Sequence, residues 1–399
     1  MSCSFFFIQI HFKNILRFFL TQSYSLKPKL SMKNPETNLI ASLTPSKILK
    51  IMKDPVKSAK AVRLVYTSDQ EFDGIARKKS GKKYAYYIGD EKIKDQDEIQ
   101  RINKLAIPPA WENVWICSLE NGHLQATGID AKNRKQYRYH SLWNALRNHT
   151  KFYRMLQFGY ALPQIRLQLE KDLSLKTLEK RKVLAVVVSL MERTNIRIGN
   201  NVYEKLYGSF GLTTLKDRHV DIKGQKIHFS FKGKKGIYHD IDLKNNKLAK
   251  AVQNCKDIPG KELFQFYDEE GKRHAIESGM VNEYIKEISG EDFTAKDFRT
   301  WSGTVNALIA FKEIGEAESS KEYKTKVKEA LEMVASHLGN TGNVCRKYYV
   351  HPLVINLYEN NSIKKYMDEL DEIEIDDGKS GLTKEETIVM KILENEKVS

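Results

Sequence analysis

The chain has 399 residues, 41 % hydrophobic and 29 % charged, enough to bury a large core and to divide into two or three domains. Its 66 lysines and arginines outnumber 51 aspartates and glutamates, and the formal net charge of +15 makes a nucleic acid the leading partner class. Cys3, Cys117, Cys255 and Cys345 form no C-x-x-C pair, which excludes a zinc ribbon or a disulfide framework and fits a reducing intracellular compartment.

Residues 1–31 are acid-free, with aromatic clusters at Phe5-Phe6-Phe7 and Phe18-Phe19. No apolar run there reaches the roughly 18 residues of a membrane span, and no clean cleavage site marks a targeting peptide. The expectation for 1–59 is a disordered stretch or an upstream extension of the reading frame, with Met32 opening a polar segment. Globular sequence is expected from about Lys60.

A small β-rich domain is expected over 60–140. Its strands are read at 62–66, 83–88, 114–117 and 123–127, the last two joined by Asn121-Gly122, a hairpin signal. Arg77-Lys78-Lys79 and Lys82-Lys83 read as phosphate contacts or as a solvated loop.

From 141 to 365 helical periodicity dominates, clearest over 178–193, where Val183, Leu184, Val187, Val188 and Met191 recur at helix spacing. An island of strands interrupts it, with Ile227, Phe229 and Phe231 alternating against polar neighbours between two glycine turns. The second of these turns, 232–236, carries lysines at its tip. Helices are expected again at 248–255, 279–288, 295–314 and 321–338, with Thr294 as an N-cap and Gly339 as a C-cap. The fold class expected is therefore α+β: a small β-rich amino-terminal domain, then a larger, mainly helical domain containing a β-hairpin island. Residues 366–399 carry 4 basic and 11 acidic side chains, which reads as a solvated acidic tail or, more sharply, as a DNA mimic.

Two segments carry chemistry. Ala295-Lys296-Asp297-Phe298-Arg299-Thr300-Trp301 precedes by about forty residues the run from Leu338 through Asn340 to Tyr348-Tyr349-Val350-His351-Pro352. A free phenol is about 0.1 % ionised at neutral pH, so its use as a nucleophile costs about 4 kcal/mol that fixed cations can offset. Further motifs stand in order before them: Ile107-Pro108-Pro109-Ala110-Trp111, Gly128-Ile129-Asp130-Ala131, Arg134-Lys135-Gln136-Tyr137-Arg138-Tyr139-His140, Arg197-Ile198-Gly199-Asn200 and Phe231-Lys232-Gly233-Lys234.

With this ordered set, spread over 62–358, the chain resembles the type IB DNA topoisomerases of the compact poxviral and bacterial kind. The resemblance implies Tyr349, nine positions after Asn340, as the nucleophile that forms a 3′-phosphotyrosyl link. It implies Arg197 and Arg299 on the scissile phosphate and Lys234 as the proton donor to the departing 5′-oxygen. Asn340 stands where poxviral relatives carry histidine and bacterial ones asparagine. It can donate a hydrogen bond but cannot titrate. Tyr348, Lys232 and Lys235 are the neighbours most easily confused with Tyr349 and Lys234.

These roles are chemically apt, because preorganised cations stabilise charge on phosphorus and a lysine pKa falls beside arginines. Lys296, Tyr203, Tyr137 and Arg138 combine basic and aromatic character and are the expected DNA contacts. The resemblance further implies strand cleavage and religation on double-stranded DNA by a monomer, with no membrane, metal or nucleotide cofactor, and a cytoplasmic, nucleoid-associated place if the source is bacterial. The sequence contains no G-x-x-x-x-G-K-[ST] loop.

Two other readings compete. A tyrosine recombinase shares the nucleophile and cationic pocket, but there histidine usually precedes the second arginine by three residues, where this chain has Lys296. A non-catalytic basic DNA-binding protein explains the charge and not the ordered motifs.

Overall fold

Helix α1 (Pro45–Met52) is followed by α2 (Pro55–Ala61), which begins at a proline whose fixed φ suits the first helical turn. The Asp54 carboxylate caps it, accepting the Val56 and Lys57 N–H groups at 3.0 Å each. The structure, a computed structural model, describes residues 39–40, 43, 45–52, 54–81, 83–131, 133–372 and 381–395. The expectations for 1–31 lie outside that set. Ordered structure begins before Lys60, in these two helices.

Strands β1 (Gly74–Ser80), β2 (Lys83–Ile88) and β3 (Glu91–Lys92) lead to helix α3 (Gln96–Lys104) and strands β4 (Glu112–Cys117), β5 (Leu124–Ile129) and β6 (Lys135–Tyr139). They form an antiparallel six-stranded sheet in the order β3-β2-β1-β4-β5-β6. Ile75, Val114, Ile116 and Ala126 face Ile102 of α3 and make the core of this domain. The strand expected at 62–66 is instead an irregular segment. Arg63 has φ 60°, and Val65 alone bridges to the 118–123 loop, accepting the His123 N–H at 2.8 Å.

The basic run Arg77-Lys78-Lys79 lies within β1, and Arg77 is neither a loop residue nor a free phosphate contact. Its guanidinium donates to the Ile107, Pro108 and Trp111 carbonyls at 3.3, 3.1 and 2.6 Å and lies 4.3 Å from the Tyr84 ring centre. That fixes the Pro-Pro-Ala-Trp turn. Gly128 is required beside it, since a Cβ there would stand 2.8 Å from the Trp111 ring. Asp130 organises the next motif, accepting from Arg134 Nε at 2.8 Å and Gln136 Nε2 at 3.0 Å.

The helical body starts with α4 (Ser141–Leu173), capped by His140, whose Nδ1 accepts the Leu142 N–H. Helix α5 (Lys180–Thr194) is buried almost all round, so it takes a central place, packed by α4, α7 (Asn246–Lys256), α8 (Ser278–Ser289) and β10 (Gln265–Tyr267). Short α6 (Asn201–Tyr207) follows it. The strand island is a three-stranded antiparallel sheet of β7 (Val220–Lys223), β8 (Lys226–Lys232) and β9 (Tyr238–Lys244), with Ile227, Phe229 and Phe231 buried as their alternation predicts. A further small hairpin, β10 with β11 (Arg273–Ala275), has no counterpart among the sequence expectations.

Helix α9 (Ala295–Ile314) opens at Thr294, whose N–H and hydroxyl donate to the Asp297 carboxylate at 2.8 and 2.9 Å while its carbonyl accepts the Asp297 N–H at 2.9 Å. Helix α10 (Ser320–Leu338) ends at Gly339 with φ 57°, the left-handed turn expected there. Then come α11 (Gly342–Tyr348), α12 (Pro352–Glu359), α13 (Lys364–Glu372) and α14 (Lys384–Asn395). Among the described residues no helix is long and apolar enough to cross a membrane.

The expected solvated tail is corrected by α14, whose Ile388, Val389 and Ile392 are buried against the helical body. The charge count concealed an amphipathic helix. Glu386, 6 % exposed, binds Arg166 of α4 through two hydrogen bonds of 2.8 Å and accepts the Trp301 indole N–H at 2.9 Å. Glu192 holds the same guanidinium from α5 at 2.7 Å.

Removing Glu386 leaves Arg166 with Glu192 as a remaining carboxylate partner, so the cost is expected to fall below that of a fully broken buried pair, at about 2–3 kcal/mol. Glu386→Ala is therefore expected to lower the midpoint of thermal unfolding by about 3–5 °C. A change below about 1 kcal/mol would mean that this helix contributes little to the folded state.

Candidate active site

Tyr349 follows the last turn of α11. Its N–H bonds the Cys345 carbonyl at 2.9 Å, and its own carbonyl lies 3.2 Å from the Thr304 hydroxyl, which also accepts the His351 N–H at 3.0 Å. Gly303 lets α9 approach this closely, because a Cβ there would stand 2.7 Å from the Tyr349 carbonyl oxygen and 2.9 Å from its Cβ. One turn earlier on the same helix is Arg299. Spacing of four residues puts both on one face, so the residue that admits the tyrosine backbone and the cation beside its ring belong to one helical stripe.

The Arg299 guanidinium is 5.4 Å from the Tyr349 ring centre, and the side chain is only 6 % exposed. It donates to the Leu338 carbonyl at 2.7 Å and to the Asn195 carbonyl. Both acceptors are at helix C-termini, where unpaired carbonyls and the helix dipole favour a cation. Arg197 lies two residues beyond the left-handed Asn195 that ends α5. Its Nη2 donates to the Gly339 carbonyl at 3.0 Å and to Asn340 Oδ1 at 2.7 Å.

Burial, and then the charge of Arg299, pull the Arg197 pKa down to about 10; burial likewise lowers Arg299. Among the described residues neither arginine forms a salt bridge with a carboxylate. One buried and one half-buried guanidinium group thus converge beside a phenol while satisfied by backbone carbonyls and an amide. An anion is what the pair lacks.

The other expected residues are placed less tightly. Lys234 is exposed at the tip of the β8–β9 hairpin, in a 3-10 turn whose next residue, Lys235, has φ 62°. Lys296, exposed one turn before Arg299 on α9, is close enough to Lys151 for its charge to be felt there. Tyr137 and Arg138 belong to β6. Tyr137 stacks on Tyr139 with centres 6.0 Å apart, and Arg138 donates to the Ala106 carbonyl at 2.8 Å. Tyr203 is on α6, beside Tyr207, and Tyr207 in turn has the Arg134 guanidinium 5.8 Å from its ring centre. Among the described residues, none of Tyr137, Arg138 and Tyr203 shares a hydrogen bond or ring contact with Tyr349.

Lys151 escaped the sequence reading. From α4 its ammonium donates to the Tyr348 carbonyl and stands 5.8 Å from the Tyr349 ring centre. Burial, then the charge of Lys296, lowers its pKa to about 7. No motif marks it, since nothing local in a long helix distinguishes this lysine from a surface one. His239 of β9 was missed as well. A Cβ on Gly339 would stand 2.7 Å from the His239 ring and 3.6 Å from Arg197 Nη1, which puts His239 at the edge of the same pocket, and burial, then the charges of Arg197 and Arg299, lowers its pKa.

A cleft of about 700 Å³ lies elsewhere, between α5, α8 and the β10–β11 turn. Glu179, Asp268, Glu283 and Glu287 line it, the wrong sign for a polyanion.

Comparisons with known proteins agree with this arrangement. Residues 135–376 match the family described as eukaryotic DNA topoisomerase I, catalytic core, and residues 83–130 match bacterial DNA topoisomerase IB, N-terminal domain. The DNA topoisomerase 1B of Acanthamoeba polyphaga mimivirus is 33 % identical over 305 residues, covering 74 % of this chain and 90 % of that protein. The DNA topoisomerase 1B of Vaccinia virus (strain Copenhagen) is 24 % identical over 280 residues, covering 68 % of this chain and 84 % of that protein. With both parts of the chain matched and most of the viral relative spanned, the chain belongs to the type IB DNA topoisomerases, isomerases that change DNA topology.

Proposed function

We propose that this chain relaxes supercoiled double-stranded DNA by nicking one strand with Tyr349 and resealing it. The phenol oxygen attacks the scissile phosphorus and loses its proton to solvent, the bond to the 5′-oxygen breaks, and a 3′-phosphotyrosyl link forms. Lys234 supplies the proton that the departing 5′-hydroxyl needs. Arg197 and Arg299 hold the two non-bridging oxygens, and Asn340, its oxygen engaged by Arg197 and its amide nitrogen 3.4 Å from the Leu338 carbonyl, has one N–H to offer. In reverse, the 5′-hydroxyl attacks phosphorus and the phenolate leaves. One phosphodiester replaces another, so resealing requires no external energy source.

The observation that carries this reading is a pair of arginines without a carboxylate, Arg299 buried and Arg197 half-buried, set against one half-buried tyrosine. Such a pocket is preorganised for a phosphoryl group whose charge grows in the transition state. Lys296, Tyr203, Tyr137 and Arg138 then contact the duplex, the first with phosphate and the aromatics with sugar or base edges. The protein acts as a monomer and, in a bacterial cell, on the nucleoid in the cytoplasm.

The test is relaxation of negatively supercoiled plasmid by the purified full chain in EDTA without ATP. The expected result is a ladder of relaxed topoisomers, with an SDS-trapped adduct on DNA whose tryptic peptide carries the modification at Tyr349. No relaxation under these conditions would overturn the proposal.

A further inference from the structure

The arginines and the hairpin lysine come from separate parts of the chain, and one side chain joins them. His239 pairs with Phe231 across β8–β9, and the two rings stack with centres 5.0 Å apart and planes 20° from parallel. Its far edge fills the gap between two glycines. A Cβ on Gly233 would stand 2.5 Å from His239 Cδ2 and 2.6 Å from its Nε2, and a Cβ on Gly339 would stand 2.7 Å from its Cε1. Gly233 immediately precedes Lys234, and Gly339 immediately precedes Asn340.

Gly233 has φ −92°, a backbone conformation that any residue adopts, so at this position it is the imidazole that excludes a side chain. The Gly233 N–H closes the hairpin on the Ile237 carbonyl at 2.7 Å. On the other side, Arg197 Nη1 is 3.6 Å from the same Gly339 Cβ position.

We infer that His239 is a positioning residue for proton donation: its ring wedges the β8–β9 hairpin against the Gly339 turn and so fixes Lys234 relative to the arginine pocket. This rests on the reading of Lys234 as the donor. Phe231 supplies the stacking surface and the two glycines supply the slot. Burial, then the charges of Arg197 and Arg299, disfavours a charge on the ring, so the wedge does not compete with them for phosphate. A lysine at an exposed hairpin tip has many rotamers. Anchoring its backbone removes the hairpin's motion from the search for the 5′-oxygen.

The experiment is single-turnover cleavage of two suicide duplexes by the full chain, one with an ordinary 5′-oxygen at the scissile bond and one with sulfur in its place. A thiol has a pKa near 8.5 against about 15.7 for water, so sulfur leaves without a proton donor. Lys234→Ala is expected to be slowed about 100-fold on oxygen and restored to within about fivefold of wild type on sulfur. His239→Ala is expected to follow the same pattern, slow on oxygen and restored on sulfur. Gly233→Ala, whose methyl group would displace the ring, gives a second reading should His239→Ala fail to fold, and is expected to do the same.

If folded His239→Ala is as slow on sulfur as on oxygen, or as fast as wild type on oxygen, the inference is overturned while Lys234 stands. If Lys234→Ala is not restored by sulfur, the Lys234 reading itself is wrong.

Discussion

Tyr349→Phe is expected to abolish both the covalent DNA adduct and plasmid relaxation, while Tyr348→Phe keeps both within a few-fold of wild type. The two tyrosines are adjacent in sequence and opposite in setting. Tyr348 is 40 % exposed, with the Lys347 ammonium 5.4 Å from its ring centre, whereas Tyr349 has Arg299 and Lys151 beside its ring and Gly303 and Thr304 behind its backbone. Loss of the hydroxyl removes the proposed attacking atom and leaves the ring packing intact. Stability should therefore change by about 1 kcal/mol or less. Phenylalanine at 349 makes a folded protein that still binds duplex DNA, so binding and cleavage separate in one variant. An adduct with Tyr349→Phe, lost instead in Tyr348→Phe, would reassign the nucleophile and with it the geometry argued from Gly303.

Much of this site was legible because its parts are local and chemically distinctive. Thr294 announces the start of α9, Gly339 announces the end of α10, and Arg299 and Tyr349 follow at fixed distances from those caps. The alternation of Ile227, Phe229 and Phe231 placed the lysine-bearing turn at the end of a strand. Legibility failed where partners come from far along the chain. Arg77 reads as one cation in a basic run, and only the folded Ile107–Trp111 turn shows that backbone carbonyls consume its guanidinium.

Lys151 and His239 are ordinary residues of a helix and a strand until α11 and the Gly339 turn arrive beside them. The carboxyl-terminal stretch misled for a different reason. Its acidic surplus is concentrated over 368–377, while α14 beyond it alternates apolar and polar positions at helical spacing and buries Glu386 on an arginine 220 residues away. A net charge summed over a segment says nothing about which face carries it.

The second large effect is expected at Arg299, where activity and stability should part company. Arg299→Met removes the donor proposed for the scissile phosphate and is expected to slow single-turnover cleavage about 1,000-fold, roughly 4 kcal/mol of transition-state stabilisation. For stability two terms oppose each other. Methionine leaves the Leu338 and Asn195 carbonyls without their donor, at about 1–3 kcal/mol each at most. Against that, the fold no longer buries a cation that has no carboxylate partner, a burial that holds its pKa below the ordinary arginine value.

The sign follows from linkage. A cation whose folded pKa lies below its unfolded one weakens the fold wherever the folded site is still protonated, and the penalty disappears only as pH rises through the unfolded value. Even Arg197, drawn down to about 10, is fully charged at neutral pH, so both arginines penalise the free protein under working conditions. The expected outcome is cleavage down about 1,000-fold with a thermal midpoint within about 3 °C of wild type, in either direction. Millimolar inorganic phosphate or sulfate, bound in the pocket, should raise the wild-type midpoint by mass action and leave that of Arg299→Met unmoved. A variant that loses several kcal/mol of stability and gains as much as wild type from the anion would show Arg299 to be a helix-end brace. The unpaired charge would then have to be explained without the phosphate.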